Sequence, residues 1–474
     1  MTERLAARMG SVWAAAALLV PAFAVVKQPI PPHDVWWQLA YGRAISVEHA
    51  VPRVDAFSFT RAGEAFFDQP WLAQLAMYGV VRAGGIAALV CAQALVVACA
   101  MGLLVLAARA RTEDAGAAAR GVLLFALPLS IDNWGLRPQT WALVPFAAYL
   151  LVLARWRAGR SSWAVWLLPI AMLAWVNVHG SFVLGLVLVA LALGGWGLER
   201  ALKRDVPSPA PIALGGALAA AATLANPRGL AVYGYVTNLV RHPSLERVVE
   251  WGTTSRVLPV VALVMGLLLL ASKKRPSVTE IVMLVAMLAL GLRAARSAMW
   301  VGAVGGVVLA APLAEWLRFD GARKVPFGRA AIAIGAALVL LRSPLALGRV
   351  ALEDTPAAAV DALRAMNAEE RPARLFASEG SGSYLMWAAP EQKTFVDTRI
   401  ELFPPSLWDE WVEVERAEDA ATVQAILDRY AIDGVLASKE HEGPIARFVE
   451  DRGWERRWQD AGWAIFVRPQ SGRR

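Results

Sequence analysis

About eleven apolar runs, each set off from the next by a short polar segment, leave this chain few folds to choose from. A membrane-crossing helix needs about 20 largely apolar residues, roughly 17–25. Every backbone N–H and C=O within the hydrocarbon must find its partner inside the protein. The runs lie at 10–26, 85–108, 118–131, 138–154, 163–176, 180–198, 211–225, 257–272, 278–292, 296–316 and 327–345, several of them short. Composition excludes two or three soluble domains of the same total length. Of 474 residues, 57% are hydrophobic and 18% charged, against about 25% charged in soluble domains. The expected fold class is an α-helical polytopic membrane protein of about 11 spans, with a small C-terminal α/β soluble domain.

Charge is segregated along the chain. From Glu353 onward there are 15 Lys and Arg against 23 Asp and Glu; of the chain's 47 and 39, this leaves 32 and 16 for residues 1–352. The net +8 is thus an average of a basic and an acidic part, not a nucleic-acid signal. The basic residues fall between apolar runs: Arg109/Arg111/Arg120, Arg155/Arg157/Arg160, Arg200/Lys203/Arg204, Lys273/Lys274/Arg275 and Arg318/Arg323/Lys324. Counting spans puts all of these on the side of the N-terminus. By the positive-inside rule that side is cytoplasmic, and an odd number of spans leaves the tail outside. The start is basic and then apolar, like a signal sequence, but no small-residue cleavage site follows, so it reads as an uncleaved first span. Cys91 and Cys99 lie in one apolar run and read as buried free thiols.

The segments assigned to the outer side mix acids, bases and amides. The first is a long loop at 27–84; then come Asp132–Gln139, Asn177-Val178-His179-Gly180, Asn226-Pro227-Arg228-Gly229 leading to Glu250-Trp251, and Arg293 with Arg296. Ionisable groups near a bilayer are costly, and so they tend to be functional. In the long loop, prolines at 29, 31 and 32 precede His33-Asp34-Val35-Trp36-Trp37, and Trp37, Tyr41 and Ile45 share a helical stripe. This predicts a short helix along the membrane surface, with Asp34 in its first turn and the tryptophans at the interface. Pro52-Arg53-Val54-Asp55-Ala56-Phe57-Ser58-Phe59-Thr60 follows, then Asp68-Gln69-Pro70-Trp71-Leu72. A second surface helix is expected over 71–83, closed by Gly84-Gly85.

The run Asp34-x-Trp-Trp-x-Leu-x-x-Gly42-Arg-x-Ile45, followed by Pro52-x-x-Asp55-x-Phe-Ser-x-Thr60, resembles a bacterial subgroup of the GT-C class of membrane glycosyltransferases. That class includes protein O-mannosyltransferases, lipid A aminoarabinose transferases and the catalytic subunit of oligosaccharyltransferase. The resemblance covers residues 30–75 as motif and the membrane part as architecture. Many members carry two adjacent acids at the first position, whereas here the neighbour of Asp34 is His33. The resemblance implies a polyprenyl-phosphate sugar donor and an extracytoplasmic acceptor: lipid, glycan or protein. It also implies a GT-C-like transmembrane domain over 1–350 and an extracytoplasmic domain over 355–474, while the Ala-, Arg- and Trp-rich composition points to a bacterium and so to an inner membrane with periplasm outside.

Transfer of this kind needs a carboxylate to take the acceptor's proton, and cations or amides to hold the leaving phosphate. Asp34 is the first candidate base and Asp55 the second. Arg293 and Arg296 are candidates for the donor phosphate, with Arg137, Asn177, His179 and Arg228 lining the pocket. Asp68, Asp397 and Arg399 are acceptor-side candidates. No His, Cys and carboxylate cluster stands at ligand spacing, so no metal is assigned, although the class includes members that use a divalent cation.

In the tail, 356–368 has helical periodicity, and 374–378, 393–397, 434–437 and 463–467 read as strands. Gly380–Gly382 reads as a turn and 420–430 as a helix. Two other function classes stay open: a transporter or flippase of a lipid-linked precursor, and a non-catalytic envelope scaffold. Against the transporter stand the lack of an internal repeat and of charges in mid-span.

Overall fold

The computed structural model describes residues 2–160, 163–248, 251, 255–316, 328–344, 350, 352, 354–367 and 369–469. Glu250, Arg318, Arg323 and Lys324, with part of the last apolar run, lie outside them. The chain forms two compact units. One comprises 1–28, 80–236 and 246–350; the other comprises 29–79, 237–245 and 351–474.

The first unit is helical, and each of the apolar runs contains helix. Among the described residues, Trp71–Arg109, Ala115–Asn133 and Gly180–Ala201 are long and apolar enough to cross a membrane. A bent pair, Ala295–Val308 with Ala310–Trp316, meets the same test with a 56° bend. Ser11–Lys27, Trp163–Val178, Ala210–Ala222 and Leu258–Ala271 are apolar but shorter. This is the framework of an integral membrane protein.

The 71–83 stretch and the following run form one 39-residue helix, broken where a boundary was expected. Gly85 has φ +71° and ψ −174°, a conformation open only to glycine, and this is where the axis kinks. The cysteines are not buried as expected: Cys91 is partly exposed and Cys99 exposed. They stand on an apolar helix surface, which lipid rather than protein would cover.

The second unit is built on a four-stranded sheet: β1 Leu375–Phe376, β2 Gly434–Ser438, β3 Glu455–Gln459 and β4 Trp463–Val467. Its order is β1-β2-β4-β3. β1 and β2 are parallel, and β4 is antiparallel to both its neighbours. Alternate side chains fill two cores, as the two-residue period of a strand requires. Leu375, Leu436, Ile465 and Val467 pack with Val360 and Leu363 from the helix Ala357–Ala365. Phe376, Val435, Ala437 and Phe466 face a larger core that includes Phe395, Phe403, Trp408 and Trp411.

Trp37, Ala40, Tyr41 and Phe66 of the first loop belong to that larger core. The helix Asp34–Glu48 is therefore not a surface helix. Trp36 and Trp37 are 3% and 8% exposed, and Trp36 meets Tyr384 edge-on at 4.9 Å. Two expectations for the tail fail. Residues 393–397 form no strand; Thr394 makes only isolated bridges to Ser58 and Leu375. Gly380–Gly382 is no turn but part of the helix Glu379–Ala388. A Cβ on Gly382 would stand 2.2 Å from the Val396 carbonyl oxygen, so the glycine serves close packing. The strand β3 and the helices Pro405–Arg416 and Gly443–Asp451 have no counterpart in the sequence reading.

Candidate functional site

In the helical unit, the polar groups gather around the segment that joins Ala115–Asn133 to the helix Leu143–Arg157. Gln93, wholly buried in the 71–109 helix, donates to the carbonyls of Trp134 (3.1 Å) and Gly135 (2.7 Å). Its Oε1 accepts from the Trp141 indole at 2.8 Å. Thr140 Oγ1 donates to the carbonyls of Asn133 and Gly135. These bonds fix the stretch that carries Arg137 and Gln139.

Gln139 donates to the Arg296 carbonyl at 3.2 Å, and the Arg296 guanidinium donates back to Gln139 Oε1. That guanidinium lies 4.6 Å from the centre of the Trp251 ring, a cation–π distance. His179, in the loop after the helix Leu167–Val178, accepts from Ser181 N at its Nδ1 (3.1 Å), so the neutral ring carries its proton on Nε2. Burial, and then the charges of Arg296 and Arg137, hold its pKa below the ordinary value. Two guanidiniums beside an uncharged imidazole form an electropositive group suited to an anion such as a phosphate.

The other cation and amide candidates are placed differently. Asn177 is buried and donates to the carbonyls of Leu173 (2.9 Å) and Ala225 (2.8 Å), tying two chain turns together. Arg228 is half-buried, and its backbone N–H donates to Asn226 Oδ1 at 2.8 Å. Arg293 is exposed in the last turn of the helix Val278–Arg293. Gln93 and Trp251 were missed as candidates, although a lone amide inside an apolar run was a readable signal for Gln93.

A Gln93→Leu variant is expected to lose about 1–3 kcal/mol of stability, because two carbonyls and an indole N–H would be left unpaired. The melting temperature of the detergent-solubilised protein measures this. An unchanged value would show that the amide does not hold the segment.

In the second unit Asp34 opens the helix Asp34–Glu48 and is partly exposed, following His33, whose side chain makes no capping hydrogen bond. Asp55 is 2% exposed. Its carboxylate pairs with Arg399 Nη1 at 2.7 Å and accepts from Ser58 N (2.9 Å) and Ser58 Oγ (2.7 Å). Burial pushes its pKa up, but Arg399 and the Ser58 bonds outweigh this and hold it below the usual carboxylate range.

Arg399 is 0% exposed and saturated with partners. It donates from Nε and Nη2 to the two oxygens of Asp397 (2.8 and 2.6 Å) and from Nη1 to Tyr41 Oη (2.6 Å). The rings of Tyr41, Phe57 and Phe66 stand 5.1–5.9 Å from the guanidinium carbon. Asp397 is likewise 0% exposed, and Asp68, 3% exposed, accepts from Gln74 at 2.7 Å. The structure thus joins three predicted residues, Asp55, Asp397 and Arg399, in one buried cluster and leaves Asp34 outside it. Tyr41 completes the cluster and was not among the candidates. Among the described residues, the group with geometry for a metal ion is the exposed Asp354, Glu440 and His441, none of them a candidate site residue.

No protein-family model matches the sequence, and a search of curated proteins finds no match. Solved structures do resemble it. The archaeal oligosaccharyltransferase AglB from Archaeoglobus fulgidus, in complex with an inhibitory peptide and a dolichol-phosphate, aligns over 97% of this chain and 74% of its own, with a TM-score of 0.59 at 12% identity. ArnT from Cupriavidus metallidurans, bound to undecaprenyl phosphate, aligns over 97% of this chain and 98% of its own, with a TM-score of 0.53 at 14% identity. The apo form of that oligosaccharyltransferase gives a TM-score of 0.57. The chain therefore has the fold of GT-C membrane glycosyltransferases.

Proposed function

We propose that this protein is an inverting glycosyltransferase that moves a sugar from a polyprenyl-phosphate donor to an extracytoplasmic acceptor. The observation that carries the reading is the likeness to ArnT over 97% of this chain and 98% of that one, a protein solved with undecaprenyl phosphate bound. The oligosaccharyltransferase solved with dolichol-phosphate adds a second lipid phosphate in the same fold. In the reaction, the acceptor hydroxyl attacks the anomeric carbon, the bond from that carbon to the phosphate oxygen breaks, and the lipid phosphate departs. Asp34 takes the hydroxyl proton. Arg296, with Arg137 and His179 nearby, offsets the charge on the departing phosphate.

Asp34 is assigned as the base because the residue is partly exposed, whereas Asp55 is buried and paired with Arg399 and Ser58. Arg296 is preferred over Arg293 for the phosphate because Gln139 and Trp251 hold it in place. About eleven spans, a cytoplasmic N-terminus and a bacterial inner membrane complete the reading, supported by helix at every apolar run and by the basic loops.

The test uses purified protein and a panel of polyprenyl-phosphate sugars, followed by thermal stabilisation and by sugar transfer. One donor is expected to raise the melting temperature, and Arg296→Ala to weaken that stabilisation by about tenfold or more in donor concentration, as for a charged hydrogen bond of roughly 1.5–3 kcal/mol. Absence of stabilisation by every lipid phosphate in a folded preparation would refute the donor class.

A further inference from the structure

The opposite end of the helical unit carries its own polar architecture. Arg157 at the end of the helix Leu143–Arg157 pairs with buried Glu199 near the end of the helix Val183–Ala201. Glu199 also accepts from Thr279 N, and Glu280 beside it accepts from Arg111 at 2.9 Å. These bonds bring the cation-bearing ends of three helices together with the start of the helix Val278–Arg293. Two indoles then hold the 203–209 connection against that end: Trp156 Nε1 donates to the Ser208 carbonyl (2.8 Å) and Trp196 Nε1 to the Pro207 carbonyl (2.9 Å).

Beside this end lies an open cleft of about 180 Å³, lined by Val152, Trp156, Arg160, Val165, Ser208 and Ile212 among others. Its walls are mostly apolar, and among the described residues Arg160 is the charged one lining it. Arg155 stands a turn earlier, bonded through its carbonyl to Arg160 N and lying over the Trp163 ring at 5.9 Å. Trp163 and Trp166 are 63% and 52% exposed, as tryptophans at a membrane–water boundary are. A mostly apolar cleft that carries an exposed arginine, close to two exposed tryptophans, matches a molecule with a phosphate at one end and hydrocarbon at the other.

We propose that this cleft binds an anionic glycerophospholipid, with Arg160 on the phosphodiester and the upper acyl chain against Val152, Val165 and Ile212. The site is separate from the sugar-transfer reading and stands whether or not that reading does. Basic pockets between membrane helices hold such headgroups elsewhere.

The full-length protein is reconstituted in nanodiscs of mixed phosphatidylglycerol and phosphatidylcholine, and retained lipid is counted by native mass spectrometry. Phosphatidylglycerol should be retained at least threefold over phosphatidylcholine. Arg160→Gln should abolish the preference, and Lys203→Gln, which removes another exposed cation from the same end, should keep it. Arg160 is exposed, so the variant should fold, and its melting temperature in detergent checks this. Equal retention of the two lipids, an unchanged preference in folded Arg160→Gln, or equal loss in Lys203→Gln would overturn the proposal. Displacement of the lipid by millimolar inorganic phosphate would overturn it too, by showing a site for the free anion.

Discussion

Asp34→Asn should lower turnover by about 10²–10⁴-fold, the range for loss of a positioned general base, while donor binding and the fold persist. The exchange is nearly isosteric. It removes an acid from a helix N-terminus, which costs only about 0.3–1 kcal/mol through the helix dipole. Asp34 is partly exposed, so the site tolerates a polar side chain of the same size. Turnover per folded molecule is measured beside donor-induced stabilisation. Activity within a few-fold of the parent would remove Asp34 from the mechanism. Loss of both activity and donor stabilisation would assign it to binding instead.

Arg399→Leu should have the largest effect on stability, about 3–5 kcal/mol, as expected when one partner of a buried ion pair is removed. Asp55 and Asp397 would remain, both nearly or wholly buried, with their main cationic partner gone. Lysine should rescue poorly, because its single ammonium cannot reproduce the two parallel bonds to Asp397 and the reach to Asp55 and Tyr41. Unfolding of the second unit, followed by proteolysis of the 351–469 region, measures the change. Combining Arg399→Leu with Asp55→Asn should cost less than the sum of the two, since each disrupts the same pair. A shift of under a degree in melting temperature for Arg399→Leu would show that the cluster carries little stability. The pair also sets an acid limit. The Asp55 pKa is held below its unfolded value near 3.9, so its contribution is complete above that pH and is lost as pH falls through the depressed folded value.

Much of the fold was legible because its signal is local. Apolar runs of span length, Pro29, Pro31 and Pro32 ahead of Asp34, and the Gly84-Gly85 pair each mark an element or a break within a few residues. The helix at 34–48 and the kink at Gly85 appear where they were expected. The exposed position of Cys99 was not readable, because an apolar run does not say which of its faces meets protein and which does not. Gly380–Gly382 misled for a related reason. Two glycines in four residues signal a turn, unless a neighbouring backbone needs the space, as Val396 does at Gly382.

The sequence by itself determined that this chain lives in a membrane, where its helices lie and which residues carry charge between them, since hydrophobicity and backbone preference act over one or two turns. Only the tertiary structure decided what those charges do. Tyr41 and Arg399 are 358 residues apart in sequence, yet their side chains meet at 2.6 Å. Their meeting closes Asp55 and Asp397 off from solvent and leaves Asp34 partly open. A carboxylate's role depends on its solvation and its partners, and both are set by contacts that no local pattern encodes.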